Sequence, residues 1–121
     1  MIEMSTKDFN LHKLFLKALS NETRLLVLET LRTRPKCVSE ISEDLDFEQS
    51  RVSHNLKCLC NCGFVEVERK GKKRIYRINK ETIAPLFETI DKHVAEYGQR
   101  LATCETLTDV KALAKREAWH R

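Results

Sequence analysis

Only three glycines and two prolines punctuate the 121 residues. With breakers this scarce, helix should dominate, and each interruption marks a place where the chain must turn. Pro35 forbids continuation of whatever helix precedes it. Gly63 fits the left-handed stop of a helix. Gly71 sits in a tight turn, Lys70-Gly71-Lys72. Pro85 falls in the first turn of a long helix, where its missing N–H is no loss.

Between these marks the apolar spacing reads as helix, helix, helix, helix, hairpin, helix. Residues 7–19 form an amphipathic helix with Leu11, Leu14, Phe15, Ala18 and Leu19 at helical spacing. Asn21 caps a second helix, from residue 22 to about 33, with Leu25, Leu26, Leu28 and Leu31 as its stripe. A short third helix covers residues 38–45, with Ile41 and Leu45 inward. Asp46-Phe47 turns the chain, and a fourth helix runs from residue 48 or 49 to about 62. Phe64-Val65-Glu66-Val67-Glu68-Arg69 alternates as a strand, and Arg74-Ile75-Tyr76-Arg77-Ile78 returns. A long helix follows over about 80–102, with Ile83, Leu86, Phe87, Ile90, Val94, Tyr97 and Leu101 apolar. Thr106-Leu107-Thr108-Asp109 has capping-box form and opens a last helix to about Trp119. The expectation is one mainly α domain with a small β-hairpin over residues 1–121, a winged helix-turn-helix. In it the helix-turn-helix spans about 38–62, the wing about 64–78, the long helix about 80–102 and the C-terminal helix about 106–119.

Charge placement points to a polyanion. Net charge is +4, yet residues 64–80 hold seven Lys/Arg (Arg69, Lys70, Lys72, Lys73, Arg74, Arg77, Lys80) against Glu66 and Glu68. The fourth helix has the chemistry of a reading helix. Val52, Leu56 and Leu59 face inward. Gln49, Ser50, Arg51, Ser53, His54 and Asn55 face outward, with Lys57 one turn on, and no acid lies between Gln49 and Lys57. Such side chains reach base edges in the major groove. The tip residues Lys70, Lys72, Lys73 and Arg74 suit phosphates and salt-sensitive affinity. The expected partner is double-stranded operator DNA.

No apolar run approaches the roughly 18 residues a bilayer span needs, so no membrane partner is expected. The first ten residues, MIEMSTKDFN, lack signal-peptide form. A cytoplasmic location follows, and with it five reduced cysteines (Cys37, Cys58, Cys60, Cys62 and Cys104) rather than disulfides. The sequence has no Gly-rich phosphate loop and no paired catalytic carboxylates. An enzyme is therefore not expected, nor is an organic cofactor.

Ala18-Leu-Ser-Asn-Glu-Thr-Arg-Leu25, Val38-Ser-Glu-Ile41, Gln49-Ser-Arg-Val-Ser-His-Asn-Leu-Lys57, Gly63-Phe-Val65 and Gly71-Lys-Lys-Arg-Ile-Tyr-Arg77 together resemble the ArsR/SmtB metal-sensing repressors. The resemblance covers about residues 15–78. It implies a homodimer built on the first and fifth helices, an imperfect palindromic operator, and dissociation when a ligand binds.

Lys57-Cys58-Leu59-Cys60-Asn61-Cys62-Gly63 is the sharpest chemical feature. Four residues apart on a helix, Cys58 and Cys62 share a face with Arg51 and Asn55. Cys60 is rotated away, beside Leu56 and Leu59, and reads as a small buried residue. Two thiolates favour soft or borderline ions: Cd(II), Pb(II), Zn(II), Cu(I) or As(III). Cys104 is the best third donor. Cys58, Cys62 and Cys104 are similar in arrangement to the CmtR-type cadmium/lead sensors of the family. That likeness implies an S₃ site for Cd(II) or Pb(II) with one thiolate from the other subunit, Zn(II) and As(III) being further candidates. Secondary donors are Cys60, Cys37 (where the family's C-V-C motif is broken by Ser39), and a hybrid of Asp91, His93 and Cys104. One alternative keeps the fold but makes the cysteines a thiol-redox, persulfide or Fe–S sensor. Another has the last helix answering to a protein partner.

Overall fold

The computed structural model describes residues 5–108. The helix expected from Thr106 to Trp119 lies outside them beyond Thr108, as does His120. The element order is α1 (Thr6–Leu19), α2 (Glu22–Leu31), α3 (Val38–Leu45), α4 (Gln49–Asn61), β1 (Val65–Lys70), β2 (Lys73–Ile78) and α5 (Ile83–Ala102). This is the winged helix-turn-helix order. The chain groups into two compact units that divide between Ala84 and Pro85.

In the first unit, local chemistry sets most boundaries. Ser5 caps α1, its hydroxyl accepting the Asp8 N–H at 3.1 Å. Asn21 caps α2, its Oδ1 accepting the Arg24 N–H at 3.0 Å. Asp46 closes α3 in the left-handed conformation (φ 54°), and Gly63 does so just after α4 (φ 79°). The strands pair antiparallel from Val65↔Ile78 to Lys70↔Lys73. Gly71 takes φ 62° at the first of two turn residues, so the turn is Gly71-Lys72, and each strand begins or ends one residue from its expected bound.

Three expectations need correction. The stripe of α2 is Val27, Leu28 and Leu31, all buried, whereas Leu25 and Leu26 remain 38% and 37% exposed. At 100° per residue the buried arc centres between residues 27, 31 and 28. Leu25 falls on its shoulder and Leu26 on the far side. The second helix also stops at Leu31 rather than near Thr33, the Arg32 N–H already sharing the Leu28 and Glu29 carbonyls. The long helix starts at Ile83, not Lys80. Asn79 is the reason: its Oδ1 accepts the N–H groups of Glu81 and Thr82, holding a turn, while its carbonyl accepts those of Ile83 and Ala84.

The first unit's core gathers Ile41 of α3, Val52, Leu56 and Leu59 of α4, and Phe64, Tyr76 and Ile78 around the hairpin, against that α2 arc. Leu45 is half-buried. One charged side chain enters this core. Lys36 is 6% exposed, and its Nζ donates to Asp44 Oδ2 and Thr30 Oγ1, both at 2.6 Å. Its backbone pairs both ways with Tyr76 of β2, at 3.0 and 2.8 Å. A single residue therefore ties the end of α2, the body of α3 and the wing.

No residue of α1 is fully buried in the protomer: Phe9, Leu11, Leu14 and Leu16 are each more than half exposed, and among the described residues Phe15 packs its ring on that of Phe64, centroids 4.9 Å apart. In the second unit, Ile90, Val94, Tyr97 and Leu101 mark one exposed apolar face of α5. No helix among the described residues is long and apolar enough to cross a membrane.

Removing Asp44 strands a buried ammonium with one hydroxyl partner. Because Asp44 is itself 44% exposed, water replaces part of what is lost. Asp44→Ala should lower the midpoint of urea denaturation with an unchanged m-value, because the buried ammonium loses its carboxylate.

Candidate nucleic-acid interface and thiol sites

Phe47 and Glu48 deliver the chain from α3 into α4. The Phe47 N–H donates to the Ser42 carbonyl at 3.1 Å, and the Ser42 hydroxyl donates to the Phe47 carbonyl. With Val52, Leu56 and Leu59 buried, the opposite side of α4 presents Gln49, Ser50, Arg51, Ser53, His54 and Lys57 to solvent, and Asn55 is half-buried. Two of these predicted readers have partners within the chain. The Arg51 guanidinium lies 3.8 Å from the Phe47 ring centroid, and its Nη2 donates to Thr23 Oγ1 at 2.6 Å. Asn55 Nδ2 donates to the Arg51 carbonyl at 2.8 Å.

The wing tip exposes Lys70, Lys72, Lys73 and Arg74. Farther down, Arg77 is paired with Glu68, so the net positive charge concentrates at the turn. Ser53 and Lys57 of α4 face Lys72, Lys73 and Arg74 across an open groove of about 830 Å³, whose other wall is α3 with Glu40 and Glu43. The structure thus brings part of the reading helix and the wing cations onto one surface.

Glu40 is fixed rather than free. Arg34 Nη2 lies 2.6 Å from its Oε2, and its Oε1 accepts the Cys37 N–H at 3.2 Å. The hydrogen bond from Arg34, then the Cys37 backbone N–H and thiol, hold the Glu40 carboxyl down at about 2 against an ordinary 4.5.

The cysteines fall into three groups. Cys58, in the last turn of α4, is half-buried, and Cys62, the residue just past its end, is exposed. Loss of solvent, the charge of Cys58 and a hydrogen bond with it push the Cys62 thiol up, while the Arg24 guanidinium pulls it down. Their thiols therefore bear on one another's ionisation. Cys60 is only half-buried: it opens onto the groove that Cys37, which is buried, also lines, and burial pushes its thiol up. Cys104 belongs to the second unit. Its Sγ lies 3.2 Å from Thr106 Oγ1, and that hydroxyl, with the Leu107 and Thr106 N–H groups, holds its thiol below the ordinary value. His93 and Cys104 line one hollow of about 490 Å³ with Tyr97, whose ring is 4.9 Å from that of His93. Asp91 does not line it. Among the described residues no group of three or more His, Cys, Asp or Glu side chains is placed to hold a metal ion. Cys58 and Cys62 could offer two soft donors, which by themselves make no closed metal site.

Sequence reasoning passed over Lys36, Arg34, Glu40 and Asn79. For Glu40 a signal existed, since it stands three residues after the Cys37 cap.

Residues 21–67 match the family described as "Bacterial regulatory protein, arsR family". The chain is 36% identical over 78 residues to the HTH-type transcriptional regulator NmtR of Mycobacterium tuberculosis, covering 64% of this chain and 65% of that one. It is 30% identical over 76 residues to the arsenical resistance operon repressor of Staphylococcus xylosus, covering 63% of this chain and 73% of that one. Among solved structures, the homodimeric winged helix-turn-helix DNA-binding domain of Mb0332 from Mycobacterium bovis superposes with a TM-score of 0.67 at 29% identity, over 87% of this chain and 99% of that one. The chain spans between about half and two thirds of the length of the first curated relatives it matches.

The Glu40 contacts have a pH signature. A carboxyl held lower in the folded chain than in the unfolded one stabilises fully above the unfolded value, and loses that effect as pH falls toward the folded one. The stability difference between the natural chain and Glu40→Gln should be constant above pH 5, shrink between about 4.5 and 2, and vanish below. Thermal melts across that range check it.

Proposed function

Because the chain belongs to the arsR family of bacterial regulatory proteins, a family of DNA-binding regulators rather than enzymes, we propose that it is a homodimeric repressor that leaves its operator when a thiophilic metal ion binds its cysteines. The donors would be Cys58 and Cys62 of one subunit and Cys104 of the partner subunit, with Cd(II) and Pb(II) favoured and Zn(II) or As(III) as further candidates. One observation carries the reading. Cys58 and Cys62, whose thiols bear on one another's ionisation, stand at the end of the same rod that presents Gln49, Ser50, Ser53 and His54 outward. Coordination at one end of α4 and operator grip at the other cannot then be independent.

Two-fold pairing supplies the rest. Reading helices of a dimer must sit roughly 34 Å apart to occupy successive half-sites. The exposed apolar faces of α1 and α5 are surfaces a second copy would cover. A metal that favours another spacing lowers operator affinity, and operator lowers metal affinity by the same factor. Thiols lose protons to bind, and the Cys62 thiol is pushed up, so sensing should weaken as pH falls.

Operator-bound protein titrated with Cd(II) or Pb(II) should lose affinity by about 5- to 150-fold, the usual range of such coupling. Cys58→Ser, Cys62→Ser and Cys104→Ser should keep operator binding but not release. Cys37→Ser should behave as the natural chain. Release that persists in Cys58→Ser and Cys62→Ser sinks the site, and release by peroxide but by no metal moves the signal to thiol oxidation. Leu14→Glu, which charges the exposed face of α1, should halve the mass seen in sedimentation and weaken operator binding at least tenfold; a variant that stays dimeric places the interface elsewhere.

A further inference from the structure

Arg51 is the one long, bidentate-capable cation in the first turn of the reading helix, where a base reader would be sought first. Its contacts point to a different job. Guanidinium stacking on Phe47 at 3.8 Å and the 2.6 Å bond to Thr23 Oγ1 use the face and one edge of the group within the chain. Phe47 belongs to the turn between α3 and α4, and Thr23 to the first turn of α2. The side chain therefore bridges three parts of the domain at the end of α4 that would enter DNA. Its carbonyl is engaged as well, accepting from Asn55 Nδ2. Arg51 is itself exposed, as are Gln49, Ser50, Ser53 and His54 around it; what sets it apart is that its guanidinium is already engaged by Thr23 and Phe47.

We infer that Arg51 is a positioning residue, which seats the N-terminal end of α4 through Thr23 and Phe47, and that base discrimination belongs to its exposed neighbours. This rests on the reading that α4 enters operator DNA. α4 has no side-chain cap at Glu48, so its first turn lacks the hydrogen bond that usually fixes a helix start. The Arg51 bridge supplies that restraint from the side. An arginine on a base edge acts differently from one that holds a helix. Losing the first flattens preference at one base pair; losing the second weakens every site alike.

The two roles separate by experiment. The full-length natural chain is first used to select its preferred duplex from a random pool. Binding is then measured on that duplex and on every single-base-pair variant, at several salt concentrations. Variants are Thr23→Val, Thr23→Ser, Arg51→Met and the double Thr23→Val/Arg51→Met, with His54→Ala for comparison. Circular dichroism confirms that each is folded. Thr23→Val and Arg51→Met should each weaken binding about three- to tenfold across the whole panel, with the ranking of duplexes and the salt slope unchanged. The double variant should be no weaker than Arg51→Met alone, as expected for two ends of one contact. Thr23→Ser, which keeps the hydroxyl, should bind like the natural chain.

Flattened preference at one base pair in Arg51→Met but not in Thr23→Val overturns the inference and makes Arg51 a reader. A salt slope that falls by about one in Arg51→Met overturns it in favour of a phosphate contact. No loss in either single variant overturns it too. If the natural chain enriches no duplex, the operator reading itself fails, and that result is visible before any variant is made.

Discussion

A buried ammonium cannot be left without partners, and the first unit is arranged around that fact. Lys36 lies between Pro35 and Cys37, in the stretch that connects α2 to α3. Its Nζ takes Asp44 and Thr30, while its backbone pairs with Tyr76. Charge-assisted bonds of this kind are short and directional. The Lys36 bond in turn holds the Asp44 carboxyl below its ordinary value, against the partial burial that would raise it. Hydrocarbon packing alone would let the hairpin slide against the helices. A fixed charge with two side-chain acceptors and a two-way backbone bridge does not.

The consequence is a set angle between α4 and the wing. Ser53 and Lys57 on one side and Lys72, Lys73 and Arg74 on the other share a groove because β2 is tied at Tyr76. Acidic residues also line it, but Glu40 is occupied by Arg34 and by the start of α3. The basic side is left at the wing turn, where Gly71 permits the two-residue loop and solvent surrounds the cations. A polyanion meeting this surface would touch α4 and the wing at once, which a hairpin free to swing would not offer.

Arg24 brings a second set of ties together. Its Nε donates to the Ala18 carbonyl at 2.9 Å and its Nη2 to that of Lys17 at 3.4 Å, neutralising the negative end of α1. The same charge is felt at Cys62, where it opposes the rise caused by burial and by Cys58. The first turn of α2 thus bonds the start of the reading helix through Thr23 and Arg51, and the charge of Arg24 acts on Cys62 just past its end. α4 is 13 residues long and unbroken.

Much was legible in the sequence because it depends on near neighbours. α3 runs over the expected residues, Asn21 caps α2 as its position suggests, and Gly63 and Gly71 take positive φ where the chain turns. These follow from helical pitch and from the conformational freedom of single residues. Tertiary structure alone decided that Val27 replaces Leu25 and Leu26 in the core, that Lys36 is buried with Asp44, and that Arg51 is drawn to Thr23 across 28 positions of chain. The difference is one of range. Periodicity and caps act within a turn or two of the backbone, whereas the partner of a long charged side chain is whatever the packed elements bring within a few ångströms of its tip.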